Sequence, residues 1–584
     1  MATVKLTIDG IPVEVEAGTT ILKAAEKVGV HIPTLCYLEG IHEVGACRVC
    51  VVDTGARALQ AACVTPVAEG MKVLTNTPAV RKARRMTVEL ILSNHPAECT
   101  TCVRNLNCEL QALAESLNIR SSRFAGERAE WPVDDSSHSV VRDPSKCILC
   151  RRCVSVCEKV QGVKAIGPLN RGFQTVIGPA FGDDMASSVC VNCGQCVLVC
   201  PVGALYEKDG IQKVWAALAD PSKHVVVQTA PATRVALGET QGMEPGSIVT
   251  GKMVAGLRRL GFDAVMDTDF TADLTIMEEG HELIERLTKG GVLPMITSCS
   301  PGWIKFIEHF YPDLLPNLST CKSPQQMFGA LAKTFYAEKK GIDPSNVFSV
   351  SIMPCTAKKF ECERPEMRDS GYKDVDVVLT TRELGRMFKE AGIVLDSLPD
   401  EEYDPPMGLS TGAAVIFGAT GGVMEAALRT AYEVVTGEPL ADVNFKAVRG
   451  LEGVKEASVN LKGTEVRVAV AHGLSNARKV LDRVRAGDAP WHFIEIMCCP
   501  GGCIGGGGQP IPTDTEVRQK RIDGIYTADE RLAIRKSHEN PAIQAIYKEF
   551  LGKPLGHKSH ELLHTKYTPR GRYAIHYKDK KVAD

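Results

Sequence analysis

Val4, Leu6 and Ile8 alternate with polar residues, Asp9-Gly10 follows, and Ile11, Val13 and Val15 resume the alternation on the same face. A period of two interrupted by a turn dipeptide predicts a β-hairpin with one apolar side. Thr19 or Thr20 then caps ILKAAEKVGV, a short helix placed to cover that side. Strand, strand, helix and a cysteine loop predict a small β-grasp domain over residues 1–80. RKARRMTVELILSNH predicts a helix that ends beside His95, opening a second unit over 81–125. From about residue 215 the pattern changes to apolar runs, KHVVVQTAP, VLPMITSC, VFSVSIMPC, VDVVLTT, VRVAVAHG and FIEIMCC, separated by helical stretches such as SIVTGKMVAGLRRLGF. Runs of this kind are buried on both faces, so a large α/β domain of mainly parallel strands flanked by helices is expected over 211–565. Three of the strands end in cysteine, which places a ligand site beyond their carboxyl ends.

Length and charge narrow the class without naming a partner. At about 150 residues per domain, 584 residues predict roughly four domains. A net charge of −2, with 44% apolar and 24% charged residues, excludes a disordered chain and gives no basic face for nucleic acid. No stretch has the 18 or more uninterrupted apolar residues of a membrane helix, and MATVKLTIDG has no apolar signal core. The expectation is a cytoplasmic protein with no membrane partner, in a compartment that keeps thiols reduced.

Cysteine is the outlier. Of 22 in the chain, 15 precede residue 201, at gaps too short for unstrained disulfides. Cys36, Cys47, Cys50 and Cys63 form C-x10-C-x2-C-x12-C, with Gly45 and Ala46 leaving room for backbone amides near sulfur. Four thiolates suit a [2Fe-2S] cluster; four-cysteine zinc is the alternative. His95, Cys99, Cys102 and Cys108 form H-x3-C-x2-C-x5-C, a donor set for zinc or for a [4Fe-4S] cluster whose imidazole removes one negative charge. Its place between two stronger iron-sulfur signals favours the cluster. The strongest motif is a repeat of C-x2-C-x2-C-x3-C over 138–210, a ferredoxin-like α+β unit. In such pairs the fourth cysteine crosses to the other cluster. Cys147, Cys150, Cys153 and Cys200 are therefore assigned to one [4Fe-4S] cluster, and Cys190, Cys193, Cys196 and Cys157 to the other.

Four clusters ahead of one α/β domain have no use in a hydrolase and an evident one as stepping stones for electrons. The α/β domain contains no Walker loop and no strand-linked G-x-G-x-x-G, and FGATGGV at 417–423 reads as a packing turn. It does contain ITSCSPGW at 296–303, MPCTAKKFE at 353–361 and EIMCCPGGCIGGGGQP at 495–510. Together these resemble the three signature segments of the iron-only [FeFe] hydrogenases, and the upstream cluster order resembles that of the large members, over nearly the whole chain. The resemblance implies reversible cleavage of dihydrogen into two protons and two electrons. It also implies an H-cluster, a [4Fe-4S] cube joined through a cysteine sulfur to a two-iron unit with CO, cyanide and an azadithiolate bridge, installed by maturation enzymes.

Carried over by motif, Cys355, Cys499 and Cys503 match cube ligands, Cys503 being the bridging sulfur. Lys358 matches the lysine that holds a cyanide, Met353 and Met497 match apolar walls, and Ala230-Pro231 resembles a further contact. One departure matters: where the family has two adjacent cysteines, this chain has Cys299 and then Ser300, a harder donor. Either Ser300 or water completes the cube while Cys299 relays protons, or the loop shifts so that Cys299 binds iron. Cys321, Cys362 and Cys498 are additional thiols, of which Cys498 adjoins an expected ligand. Glu279, Glu282 and Arg286 share a helix face at i, i+3 and i+7, which alone would suit a solvated ion-pair face. With Ser319 and Cys299 they match the family's proton relay.

The Cys-Ser form resembles the multisubunit branch, implying electron transfer to flavin- and iron-sulfur-containing subunits that reduce NAD or NADP, or to ferredoxin. The competing expectations are an electron-transfer subunit like the large subunit of NADH dehydrogenase, without hydrogen chemistry, and a hydrogen sensor, for which no signalling domain is seen. The basic, tyrosine-bearing tail over 566–584 is expected to dock on another subunit or lie on the surface.

Overall fold

The computed structural model describes residues 2–461 and 463–571; the tail beyond 571 lies outside them. Thr3–Ile8 and Ile11–Glu16 form the antiparallel hairpin, with Lys72–Val73 added parallel to its first strand. Asp9 and Gly10 both take positive φ, 48° and 85°, as a tight hairpin turn requires. Leu6, Ile8, Val13 and Val15 are buried against Ile21, Leu22, Ala24 and Ala25 of the helix Ile21–Lys27. Thr20, rather than Thr19, caps that helix. Ile11 departs from the expected face, being 43% exposed, because it directly follows the turn.

Helix Pro78–Ser93 leads to the histidine-cysteine loop, and Glu109–Ser116 leaves it. The repeat that follows is built twice on one plan. Leu149 and Arg151 in the first cysteine run, and Asn192 and Gly194 in the second, occupy equivalent positions and all have positive φ. This turns amides toward sulfur: Leu149 N–H donates to Cys147 and Asn192 N–H to Cys190, each at 3.4 Å. A two-stranded pairing of Val140–Arg142 with Leu205–Glu207 closes the unit.

The large α/β domain holds two separate four-stranded sheets. In the first, Ala264–Asp267, His224–Thr229, Val347–Met353 and Val377–Thr380 lie side by side, all parallel. In the second, Met295–Ile296, Phe493–Met497 and Thr464–His472 run parallel, and Val454–Leu461 pairs antiparallel at the edge. Helix Thr268–Lys289 lies between them. Phe270 and Leu274 pack with Val226 and Ala264 of the first sheet, while Ala272, Ile276 and Leu283 pack with Val468 and Phe493 of the second. A helix buried on nearly every side cannot be a solvated face, and its carboxylates are correspondingly constrained. Among the described residues, no helix is long and apolar enough to cross a membrane.

The domains meet through polar contacts. His42 reaches Ser155 at 2.6 Å and Lys159 Nζ reaches Ile41 O at 2.6 Å, joining the β-grasp unit to the repeat. Arg152 pairs with Glu109 at 2.7 Å. Gln195 Nε2 donates to Gly505 O at 2.9 Å and Thr356 Oγ1 to Asn192 O at 2.7 Å, so the second cysteine run sits directly on the loops that follow two sheet strands. Buried Glu207 accepts from Arg382 at 2.6 Å and lies 2.9 Å from Arg386.

Candidate functional site

The accessory cysteines gather in the expected groups. Cys36 accepts the Cys47 amide at 3.4 Å, and the sulfurs of Cys50 and Cys63 are 3.3 Å apart. Within each pair the shared hydrogen bond pushes one thiol down and the other up: Cys47 and Cys50 fall below the ordinary thiol value while Cys36 and Cys63 rise above it. His95, Cys99, Cys102 and Cys108 line one cavity. His95 Nδ1 has no partner, and burial pushes the imidazole's pKa down, leaving the neutral form that ligates. A Cβ at Gly203 would stand 2.5 Å from Cys102 Sγ, so only glycine fits there. Cys147, Cys150, Cys153 and Cys200 line a second cavity, and Cys157, Cys190, Cys193 and Cys196 a third. The fourth cysteine of each run thus crosses to the other. All 22 cysteines are free.

Cys299, Cys355, and Cys499 with Cys503 follow the carboxyl ends of Met295–Ile296, Val347–Met353 and Phe493–Met497 respectively. The three segments therefore converge from two sheets. Burial pushes the Cys355 and Cys503 thiols up, Cys503 to about 12, and the nearby Cys499 adds repulsion to both. Thiols raised in this way are poor anions by themselves; a bound metal cluster resolves the conflict, and the three-cysteine donor set fits one. Lys358 Nζ donates to Cys299 O at 3.1 Å and pairs with Glu361 at 2.9 Å. Glu361 is itself fixed by Ser323 and Gln325 at 2.9 and 3.0 Å, so the ammonium is aimed rather than free.

Ser300 caps the helix Pro301–Phe310, and its Oγ accepts the Cys498 amide at 3.3 Å. Cys498 is hydrogen-bonded to both Cys193 and Cys499, and its sulfur packs where a Cβ on Gly302 would come to 2.7 Å. This thiol stands between Cys193 of the third cavity and Cys499 of the converging segments. Met497 shares an apolar cluster with Cys299, Cys503, Phe417 and Met424, whereas Met353 lies with Ala230, Cys362 and Val378 in another. Pro231 starts the buried turn that follows Ala230. Cys362 turns to Lys359 O at 3.2 Å, and Cys321 stands 4.0 Å from Glu282.

Glu279 is 2% exposed, and its carboxyl is pushed up to about 8, chiefly by burial, with Glu282 and Glu495 adding repulsion. Ser319 hydrogen-bonds to it and donates to Glu282 at 3.3 Å. Glu282 pairs with Arg286 at 2.6 Å and accepts from Thr320 N at 3.0 Å and Thr320 Oγ1 at 3.1 Å. Arg286 also donates to Leu318 O at 2.7 Å. The helix face thus leads from the Cys299 pocket outward. Sequence reading missed Thr320 and Glu495. The latter is wholly buried and accepts the Gly421 and Met424 amides at 2.7 Å each, which gives the glycine-rich 417–423 turn its packing role. No local spacing signals either residue, because their partners lie on other elements.

Five family models match in succession. They are a 2Fe-2S iron-sulfur cluster binding domain at 1–78, the NADH-ubiquinone oxidoreductase-G iron-sulfur binding region at 84–123, and the ferredoxin-like domain of NADH-quinone oxidoreductase subunit 3 at 137–206. The C-terminal domain of the iron only hydrogenase large subunit matches 223–507, and the iron hydrogenase small subunit matches 515–570. The chain is 53% identical over 585 residues to the NADP-reducing hydrogenase subunit HndD of Solidesulfovibrio fructosivorans, covering 98% of this chain and 100% of that one. It is 43% identical to iron hydrogenase 1 of Clostridium pasteurianum, covering 96% and 99%. A structure of [FeFe]-hydrogenase HydA1 from Chlamydomonas reinhardtii superposes with a TM-score of 0.56 at 50% identity, covering 62% of this chain and 99% of that one.

Proposed function

Because this chain belongs to the iron-only [FeFe] hydrogenases, we propose that its buried cysteine pocket and the acidic face of helix Thr268–Lys289 divide the reaction between them, one handling electrons and the other protons. The chain is a hydrogenase catalytic subunit with [2Fe-2S], [4Fe-4S] and H-cluster domains, catalysing H2 ⇌ 2H⁺ + 2e⁻. When bound, the H-cluster supplies the iron centre at which dihydrogen is split or formed. Cys355, Cys499 and Cys503 would hold it, with Ser300 at the fourth side. Lys358, oriented by Glu361, places a positive charge against an anionic ligand. Met353 and Met497 wall off water with polarizable, apolar groups.

Cys299 exchanges a proton with Glu279, which passes it by Ser319 to Glu282 and the Arg286 end. The raised Glu279 carboxyl carries this reading: near neutral pH it holds a proton in the interior yet gives it up without a large cost, as a relay acid must. Electrons leave through Cys499, Cys498 and Cys193 to the paired [4Fe-4S] clusters. The His95–Cys108 and Cys36–Cys63 groups would hold the remaining clusters, and Cys99 of the former is exposed at the surface.

The acceptors are flavin-containing NAD(P)-reducing subunits or ferredoxin, a reading supported by the relative named as NADP-reducing and by the two upstream domains that match NADH-ubiquinone and NADH-quinone oxidoreductase models. An electron conduit without hydrogen chemistry would have no need of the 223–507 domain. Infrared spectra of protein matured with its assembly enzymes test the core of the proposal. CO and cyanide bands together with H2 evolution are expected; cubes and rhombs alone would reject it. Active, partner-free protein reducing NADP directly would reject the partner subunits.

A further inference from the structure

The relay described above ends at Glu282 and Arg286, yet a second set of exchangeable groups meets the same carboxylate. Thr320 Oγ1 lies 3.1 Å from Glu282 and 2.7 Å from His564 Nδ1. The other ring nitrogen of His564 lies 3.2 Å from Glu278, a wholly buried carboxylate that also accepts Tyr547 O–H at 2.6 Å and Leu555 N–H at 2.8 Å. Cys321 and His564 form a backbone bridge, so the ring is held in place. His560, exposed at the surface, places its ring centroid 4.3 Å from that of His564. Hydrogen bonds therefore run from Glu282 through Thr320 to His564 and on to Glu278, and the exposed ring of His560 packs against that of His564 in the 515–570 segment, without involving Arg286.

We propose that the proton path forks at Glu282 and that His564, with His560 outside it, forms the second arm. The hydrogen count supports this. If Thr320 donates to Glu282, its oxygen accepts from Nδ1–H, and the Glu278 carboxylate calls for Nε2–H as well, which makes His564 an imidazolium. If the hydroxyl turns to donate to Nδ1, the ring is neutral and the proton has moved toward Glu282. The two states differ only by hydrogens shifting along Glu282, Thr320 and His564, a transfer that leaves every heavy atom in place. The competing role for His564 is a clamp that ties helix His557–Leu563 to the relay helix.

The fork rests on the relay reading, and the experiment separates the two. Hydrogen evolution by the matured full chain, driven by a reduced small dye, is measured in H2O and D2O for wild type, Glu279→Gln, His564→Gln, His564→Gly and His560→Ala. His564→Gln and the surface variant His560→Ala are expected to lose between about three- and tenfold in turnover, less than a sole general acid because the Arg286 arm remains. Their H2O/D2O rate ratio should rise, and added imidazole should restore His564→Gly. A wild-type rate and isotope ratio in His564→Gln and His560→Ala, with Glu279→Gln still slow, overturns the fork alone. A slow His564→Gln with an unchanged isotope ratio and no imidazole rescue in His564→Gly makes the residue a clamp and also overturns it. A wild-type rate in Glu279→Gln overturns the relay itself, and the fork with it.

Discussion

The proposed electron side and the proposed proton side of this molecule are built by opposite strategies. The fifteen cysteines assigned to the accessory clusters sit in four short motifs, each closed within its own loop or pair of loops. The proton side draws Glu279 and Glu282 from one helix, Ser319 and Thr320 from a later loop, and Cys299 from the end of a strand in the second sheet. Electrons tunnel between centres that do not touch, so each cluster needs only its own ligands and a rough placement. Protons move through hydrogen bonds, so every donor must stand about 3 Å from the next acceptor. The first task can be encoded locally; the second requires the finished fold.

The sharpest way to break this division is at the pocket where both meet. Cys355→Ala should abolish hydrogen turnover, because it removes a cube ligand and leaves the remaining thiols of the site without a complete cluster. Infrared spectra and iron content check it; normal CO and cyanide bands would refute the ligand assignment. On the proton side alone, Glu279→Gln should slow turnover by roughly 10²–10⁴-fold with iron content unchanged, the usual worth of a general acid. The same residue sets a pH dependence. With its carboxyl raised to about 8, proton delivery for hydrogen evolution should fall as pH passes that value, and the inflection should vanish in the glutamine variant. The stability sign is opposite to that of an ordinary paired carboxylate. Stability tied to Glu279 is present below the ordinary carboxyl value of 4.5 and lost as pH rises through about 8. Glu279→Gln should therefore gain stability relative to wild type across that window, read as a growing difference in thermal midpoint.

Smaller effects sharpen the electron side. Arg382→Ala leaves buried Glu207 with Arg386 as its remaining cation, and should cost about 2 kcal/mol or more where the paired-cluster unit meets the α/β domain. Thermal unfolding checks this, and an unchanged midpoint would show that the contact does not hold the two together. Cys102→Ala should have the mildest effect on hydrogen chemistry. It removes the histidine-ligated cluster, read as lost iron and a lost EPR signal, while evolution driven by a small dye stays close to wild type because reducing equivalents can enter nearer the pocket.

Much of the fold was legible because its signals are local. The alternation of Val4, Leu6 and Ile8 about Asp9-Gly10 encodes the hairpin, and the apolar runs ending in Cys299, Cys355 and Cys498 encode strands opening on a site. What the patterns did not reveal is that those strands belong to two sheets with the relay helix between them, since an apolar run has no mark of its neighbour. Ile11 shows the same limit in miniature: correct in period, yet exposed at the end of the hairpin. Gly203, pressed against Cys102, looked like any loop glycine until the distance to sulfur was known.

The sequence by itself determined which cysteines gather into common cavities, because the spacing of such groups is written within a few residues of chain. Only the tertiary structure decided that Glu279 is a raised, buried acid, that Cys498 lies between two cluster sites, and that His564 reaches Glu282 through Thr320. Desolvation and hydrogen bonding depend on what surrounds a group, and those surroundings come from segments as far apart as 282 and 564.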